Sequence, residues 1–586
     1  MRDGNPQAGA VVTALPGVAA LRSYQVGWLS KDVVAGLVLT ALLVPQGMAY
    51  AELAGLPAVT GLYTSVLCLI GYAVFGPSRI LVLGPDSALG PMIAATILPL
   101  LGANGDPARA IALASALALL VGAIMVLVGV ARLGMIADLL SKPTRIGYMN
   151  GLALTIIVGQ LPKLFGFSVD ADGLVAEFRG FVDGVMSSET VPASLAVGSM
   201  ALLLILVLQQ WLPKIPAVLA AVLVSIAAAV LFDLAARGVS LVGVLPQGFP
   251  PFTVPHLSAG DLPLLLAGAL GIVLVALTDT ISTASVFAAR NDQEVRANQE
   301  MIGIGAANVA AGFFQGFPVS TSASRTAVAE QSGAKTQLTG LVGAAMITVM
   351  LLFLPGLLRN LPQPTLAAVV IAAALTLADI QSTVRLWHQR RTEWALSFAA
   401  FLGVALLGVL PGIAFAVILS ILNVFRRAWW PYQARLGRVE GLAGFHDITT
   451  HPSAQQLEGL VLYRFDAPLF FANARTFREE IRKLADAAPR PRWIIVAAEP
   501  ITDIDTTAAD VLEVLVEELS SMGVTLVLAE LKHPVRDKLK RYELDHPLRP
   551  DTLFRTIDEA VAAYARSQPD AVWHVPDAAG TRATDE

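Results

Sequence analysis

The sequence predicts a polytopic α-helical membrane protein that carries a small cytoplasmic α/β domain at its C-terminal end. Three observations support this. The 586 residues are 55% hydrophobic and only 15% charged, and the mean hydropathy of +0.66 exceeds what a soluble domain of this size needs to fill its core. The apolar blocks are confined to residues 31–427, and a helix needs about 20 apolar residues to cross a bilayer, so that stretch holds on the order of a dozen or more spans. Hydropathy then falls beyond FRRAWWPYQARLGRVEG, where Arg426 and Arg427 meet Trp429 and Trp430 in the manner of a membrane edge.

Residues 1–30 read as a retained cytoplasmic segment. The opening MRDGNPQAGAVVTALPGVAALRSYQ mimics a signal peptide, but Pro16 and Gly17 interrupt its apolar part and it contains no clear cleavage site. The transmembrane domain occupies 31–427. If a first span starts near Lys31 and about fourteen succeed one another, the basic short loops fall on one side of the membrane. Those loops hold Arg79, Arg132 with Lys142 and Arg145, Lys214, and Arg385 with Arg390 and Arg391; the acidic FSVDADGLVAEFRGFVDGVMSSE falls on the other side. An even count places both termini in the cytoplasm, as a multi-pass protein of the cell's inner (plasma) membrane. A linker is expected over 428–456. From 457 to 566, GLVLYRF, WIIVAAE and VTLVLAE alternate with NARTFREEIRKLADAA, TTAADVLEVLVEELSSMG and DTLFRTIDEAVAAYAR, the pattern of an α/β domain. Residues 567–586 read as a disordered tail.

Composition also excludes function classes. Net charge is -5 without a basic run, so nothing calls for nucleic acid. Cys68 is the one cysteine, which excludes an internal disulfide and a Cys-based zinc site, and the seven histidines form no H-E-x-x-H pattern. No metal is expected. GLVGAA and GIGAAN lack the lysine and the strand-then-helix context of phosphate loops, and small residues in apolar spans serve close helix packing. No cofactor and no enzyme activity are expected.

The polar interruptions are ordered. Gln46 precedes Asp86 by 40 positions, and Asp279 precedes Ser320 by 41. Such an echo suits a transporter that builds a midplane site from inverted repeats with interrupted helices. Within GFPVSTSASRTAVAE, residues 316–330, Arg325 stands among Ser320, Thr321, Ser322, Ser324 and Thr326. An intramembrane arginine is costly unless it faces a cavity or a partner. Its natural ligand is an anion, which the N–H groups of a helix starting near Ser322 would also attract. GPDSALGPM would offer a second helix start near Ser87. The alternative makes Arg325 a counter-ion for Asp86, Asp279 or Glu330, or lets it snorkel to an interface. Asp279, near the end of an apolar run, can carry a proton, or with Thr278, Thr280 and Thr283 bind sodium, or cap and pair locally. Asp86 is expected to cap the third span first and to line a pocket second. Gln46 and Tyr50 share a helix face and can line a cavity or bond a neighbouring helix.

Read together, DVVAGLVLTALLVPQGMAYAELAGLPAVTGLYTSV, FGPSRILVLGPDSA and ANQEMIGIGAANVAAGFFQGFPVSTSASRTAVAEQSGAKT closely resemble the SulP (sulfate permease) family of anion transporters. The P-Q-G-M-A-Y-A, G-L-Y, G-P-D and S-R-T-A-V elements come in that family's order and spacing. The soluble part resembles a STAS domain, similar to bacterial anti-sigma-factor antagonists. The resemblance implies an inverted repeat of seven plus seven spans, with a core domain moving against a gate domain. It also implies a homodimer whose cytoplasmic STAS domains can contact a protein partner. The family's anion pocket would comprise Gln46, Tyr50, Asp86, Ser87, Ser324 and Arg325, with Asp279, beside Thr283, as the cation-coupling acid.

Two departures bear on the coupling ion. Family members often carry glycine where this chain has Thr321, and sodium-linked members can use a hydroxyl where it has Ala323, so protons are favoured over sodium. ITDIDTTAADVL resembles the antagonists' loop with a phosphorylatable serine after an aspartate. Thr506 is therefore either a regulatory phosphosite or a helix N-cap residue. The expected function is secondary active transport of small oxyanions or carboxylates (sulfate-like, bicarbonate or dicarboxylate), as proton symport by alternating access. The alternatives are a membrane-anchored anion sensor that signals through its STAS domain, and an uncoupled exchanger or channel.

Overall fold

The computed structural model describes residues 16–22, 24–101, 105–134, 140–171, 173–212, 215–290, 294–544, 548 and 550–575. The expectations for residues 1–15, for Lys214 and for the tail beyond 575 lie outside the described residues. The chain forms two compact units, Met1–Ile421 and Leu422–Glu586.

Among the described residues of the first unit, a short helix α1 (Pro16–Arg22) precedes two sets of seven helices, each set interrupted by one additional connecting helix. The first set is α2 (Leu29–Leu53), α3 (Ala58–Phe75), α4 (Gly90–Ile97), α5 (Pro107–Val130) and α6 (Lys142–Phe165), then a connecting helix α7 (Leu174–Met186), then α8 (Pro192–Trp211) and α9 (Ala217–Leu231). The second set is α10 (Leu262–Arg290), α11 (Ala297–Phe313), α12 (Ala323–Gln331), α13 (Leu338–Phe353) and α14 (Gln363–Leu377), then a connecting α15 (Ile380–Gln389), then α16 (Arg391–Leu407) and α17 (Val409–Trp429). The connecting helix falls after the fifth member both times. In each set the third helix is the short one, and a two-residue strand precedes it. These strands, β1 (Leu83–Gly84) and β2 (Ser320–Thr321), pair antiparallel, Leu83 opposite Thr321 and Gly84 opposite Ser320. The 40- and 41-residue echo is therefore physical: both halves bring a chain reversal to one place. Among the described residues, seven helical segments are long and apolar enough to cross a membrane on length and composition alone.

Small residues let the backbones approach. A Cβ built on Gly61 would lie 1.9 Å from the Gly47 carbonyl oxygen, so any larger residue would force α2 and α3 apart. A buried carboxylate fastens the two sets together. Asp32, 0% exposed in the first turn of α2, accepts from the N–H groups of Lys335 at 2.6 Å and Thr336 at 3.1 Å. It also accepts from the hydroxyls of Thr336 at 2.7 Å and Thr339 at 3.1 Å. Asp32→Ala leaves these donors without an acceptor in a dry site, and it should lower stability by about 3 kcal/mol. Thermal unfolding in detergent checks this; a midpoint equal to the parent's would mean that the donors find other acceptors.

The second unit is built on a six-stranded sheet. Strands β3 (Gln433–Arg438), β4 (Phe445–Asp447), β5 (Gln456–Leu457), β6 (Leu460–Phe465), β7 (Trp493–Ala497), β8 (Thr525–Ala529), β9 (Leu553–Phe554) and β10 (Trp573–His574) succeed one another in chain order. The sheet runs β4-β3-β6-β7-β8-β9, parallel from β6 to β9 and antiparallel at the β3 and β4 edge. Alternation decides which side each residue serves. Ile494 and Val496 pack beneath α18 (Ala474–Ala485), α19 (Thr506–Ser521) and α20 (His533–Arg541), whereas Ile495 and Ala497 pack beneath α21 (Ile557–Ser567). Two stretches differ from expectation. The segment 428–456 contains β3 and β4 rather than a free linker, because QARLGR alternates buried and part-buried positions against β6. Within 567–575, expected as the start of a disordered tail, Trp573 and His574 pair with β5.

Candidate functional site

Elements from both sets of the first unit line one cavity of about 1400 Å³. Helix α2 presents Val38, Leu42, Gln46 and Tyr50, four residues apart and so on one face. The turn after β1 presents Asp86 and Ser87; β2 and α12 present Thr321, Ser322, Ala323, Ser324 and Arg325; α10 presents Asp279, Ser282 and Thr283. Helix α6 contributes Arg145, Ile146 and Met149. All eight residues expected for anion binding and coupling thus meet in one place, although they come from segments more than 270 positions apart. Thr506 lies in the other unit.

The local sequence explains why the chain turns here. Asp86 accepts from the Ala88 N–H at 2.9 Å, and its own carbonyl accepts from Leu89 and Gly90, each at 3.2 Å, which sets the first turn leading into α4. Asp86 lines the cavity and closes the turn before α4, but it is not the expected helix cap: the N-cap position of α4 is Leu89, three residues on. Ser322 caps α12 through its hydroxyl, 3.4 Å from the Arg325 N–H. Both short helices begin a few residues beyond the paired strands, which brings their partly positive N-terminal ends to one place.

Arg325 sits at that junction, 1% exposed. Its Nη1 donates to the Pro85 carbonyl at 2.6 Å, and a Cβ built on Gly84 would lie 3.4 Å from its Cζ and Nη2, so the guanidinium rests against β1. Nε and Nη2 have no hydrogen-bond partner among the described residues. No carboxylate among them therefore bonds this arginine. Glu330, one of the expected counter-ions, meets Arg290 at 3.3 Å instead, and the burial rules out snorkelling. Two charged donors are held in place with nothing to donate to, which is how a preorganised anion contact looks.

Asp279 reaches the cavity with Thr283, but Thr278 and Thr280 are otherwise engaged. Thr278 donates to the Leu274 carbonyl at 2.9 Å, and Thr321 donates to the Thr280 hydroxyl at 3.2 Å. The latter contact ties the helix of the candidate coupling acid to the strand that leads into Arg325. In the second unit, Asp505 rather than Thr506 caps α19, accepting from Ala508 and Phe471, each at 2.8 Å; Thr506 is exposed at the first helical position. Sequence reasoning missed the α6 contribution. Arg145 counts as a loop charge on hydropathy, yet Arg145, Tyr148 and Met149 in KPTRIGYMN have the three- and four-residue spacing of one helix face.

Two repeated sets of helices, with a cationic pocket where the short third helices begin, make up a membrane anion transporter. The chain belongs to the sulfate permease family: that family's sequence model matches residues 29–400, and the STAS domain model matches residues 451–560. It is 42% identical over 552 residues to a probable sulfate transporter of Mycobacterium tuberculosis, covering 94% of this chain and 98% of that one. It is 30% identical over 575 residues to sulfate transporter 4.1, chloroplastic, of Arabidopsis thaliana, covering 94% and 82%. Among solved structures, murine Solute Carrier 26 family member A9 in the inward-facing state superposes with a TM-score of 0.86 at 23% identity, covering 97% of this chain and 96% of that one. The transmembrane domain of a cyanobacterium bicarbonate transporter gives 0.59 at 20% identity, over 68% and 98%. The relatives are transporters, not enzymes.

Proposed function

We propose that the protein is a secondary active transporter of small oxyanions, sulfate foremost, that moves its substrate with protons by alternating access. The observation that carries this is Arg325, buried and without a hydrogen bond to any carboxylate among the described residues, with two unengaged donors where the two short helices begin. The substrate site comprises Gln46, Tyr50, Asp86, Ser87, Ser324 and Arg325. Asp279, with Thr283 beside it, is the coupling acid. Protons are favoured over sodium because Thr278 and Thr280, hydroxyls that a sodium site around Asp279 would draw on, are not among the residues that line the cavity. The relatives' names support sulfate, whereas bicarbonate is what one structural neighbour is named for. The protein is further proposed to work as a homodimer in the cell's inner membrane, both termini cytoplasmic, with the STAS domain open to a protein partner.

The test is uptake of labelled sulfate into proteoliposomes with and without an acid-outside gradient, against unlabelled bicarbonate, chloride and fumarate. Acid-stimulated sulfate uptake is expected. Absence of sulfate uptake by folded protein, with competition by bicarbonate or fumarate only, would move the substrate to those anions. The same assay on a chain ending at residue 429 separates transport from sensing, since a permease with a regulatory tail keeps measurable uptake. Thr506 is proposed as a phosphosite, because a phosphate there would sit at the positive end of α19. Intact-mass analysis of protein from its native cells should show the added phosphate, and its consistent absence would leave Thr506 as an ordinary first helical residue.

A further inference from the structure

We propose that α6 supplies the other half of the anion site: Arg145, backed by Tyr148, is a second contact that selects doubly charged oxyanions over monoanions. The inference rests on the transport reading above and names the charge class of its substrate. It starts from a count of charge around the cavity. At the Arg325 pole the guanidinium contributes one positive charge and the two helix ends about half a charge each, against one negative charge on Asp86, which leaves about +1. That balances a monoanion. A dianion held there alone would keep one charge uncompensated in a partly dry site, next to Asp279.

Arg145 is the other cation on the cavity wall. It arrives from α6, a different element from those that carry Arg325, and no ion pair engages it among the described residues. It is half-buried on the cavity wall and within electrostatic range of Asp279. A second, independent observation lies one helical turn further on. Tyr148 is 0% exposed, and its hydroxyl has no hydrogen-bond partner among the described residues. Arg145, Asp86 and Asp279 all act on it electrostatically. A buried hydroxyl without a partner is costly unless something completes it. Tyr148 stands just behind the cavity lining formed by Arg145, Ile146 and Met149, one helical turn from Arg145, so an oxyanion oxygen that reaches past Arg145 would complete it. A tetrahedral dianion has oxygens enough to meet Arg325 on one side and Arg145 on the other.

The test compares labelled sulfate with labelled nitrate in proteoliposomes of the full chain, for the parent, Arg145→Ala, Arg145→Lys and Tyr148→Phe. Loss of one charged donor should raise the half-saturating sulfate concentration roughly tenfold or more in Arg145→Ala, with a clearly smaller change for nitrate. Arg145→Lys should restore most of the preference, and Tyr148→Phe should shift it in the same direction by less. Each variant's unfolding temperature is measured beside uptake, and because Arg145 holds no described ion pair, Arg145→Ala should melt with the parent. Equal losses for sulfate and nitrate, or no loss for either, would overturn the inference while leaving the Arg325 site standing. A parent that carries neither anion would remove the transport reading and this inference with it.

Discussion

Replacing Arg325 by alanine is expected to abolish measurable anion binding and uptake. The guanidinium is 1% exposed, Arg325 lines the cavity, and its Nε and Nη2 have no hydrogen-bond partner among the described residues. A hydrogen bond to a charged group contributes about 1.5 to 3 kcal/mol, so losing two of them corresponds to a roughly hundredfold weaker affinity or worse. Arg325→Lys sharpens the test. An ammonium keeps the charge but not the planar fork that lets Nη1 hold the Pro85 carbonyl while Nε and Nη2 stay unengaged. It should therefore recover some binding with altered preference among anions, not parental affinity. Isothermal titration with sulfate, on protein shown to elute and melt like the parent, reads both variants. An alanine variant that binds sulfate with parental affinity would remove Arg325 from the pocket.

The same residue shows how much was legible in the sequence and where legibility stopped. A lone arginine among hydroxyls between apolar blocks stands out because the bilayer penalises charge, so its importance could be read from composition alone. The turn chemistry was also local: Asp86 closes the turn before α4 and Ser322 caps α12, and short polar residues before an apolar run announce such turns and caps. What the sequence left open was whether Arg325 paired with a carboxylate. That depends on the antiparallel pairing of Leu83 and Gly84 with Thr321 and Ser320, a contact across more than 230 positions that two-residue strands cannot advertise. Arg145 was hidden for the opposite reason. Its neighbours Lys142 and Pro143 read as the end of a loop, and a charge near a span end is counted for orientation before it is considered for a site. In the soluble unit the error was one of boundary. The parallel strands are continuous apolar runs and easily seen, whereas the edge strand QARLGR carries charge on its open positions and so resembles a linker.

Asp279→Asn separates substrate binding from coupling. The asparagine keeps the size and polarity of the side chain beside Ser282 and Thr283 at the cavity wall but cannot take up and release a proton. The proposed anion contacts at Arg325, Asp86 and Ser87 remain, and the Thr321 to Thr280 hydrogen bond that aligns α10 with β2 does not involve residue 279. The variant should therefore bind sulfate within a small factor of the parent and still exchange labelled for unlabelled sulfate across the membrane. It should lose accumulation. One unit of pH across the bilayer is equivalent to about 1.4 kcal/mol per proton, enough to hold roughly a tenfold anion gradient for each proton carried. In proteoliposomes with an acid exterior the parent is expected to concentrate sulfate and then release it when the gradient is collapsed, while Asp279→Asn only equilibrates. A sodium gradient without a pH gradient should drive neither. If Asp279→Asn still concentrates sulfate under the acid gradient, the proton is carried elsewhere. If a sodium gradient drives the parent, the hydroxyls around Asp279, Thr283 among them, serve a cation rather than a proton.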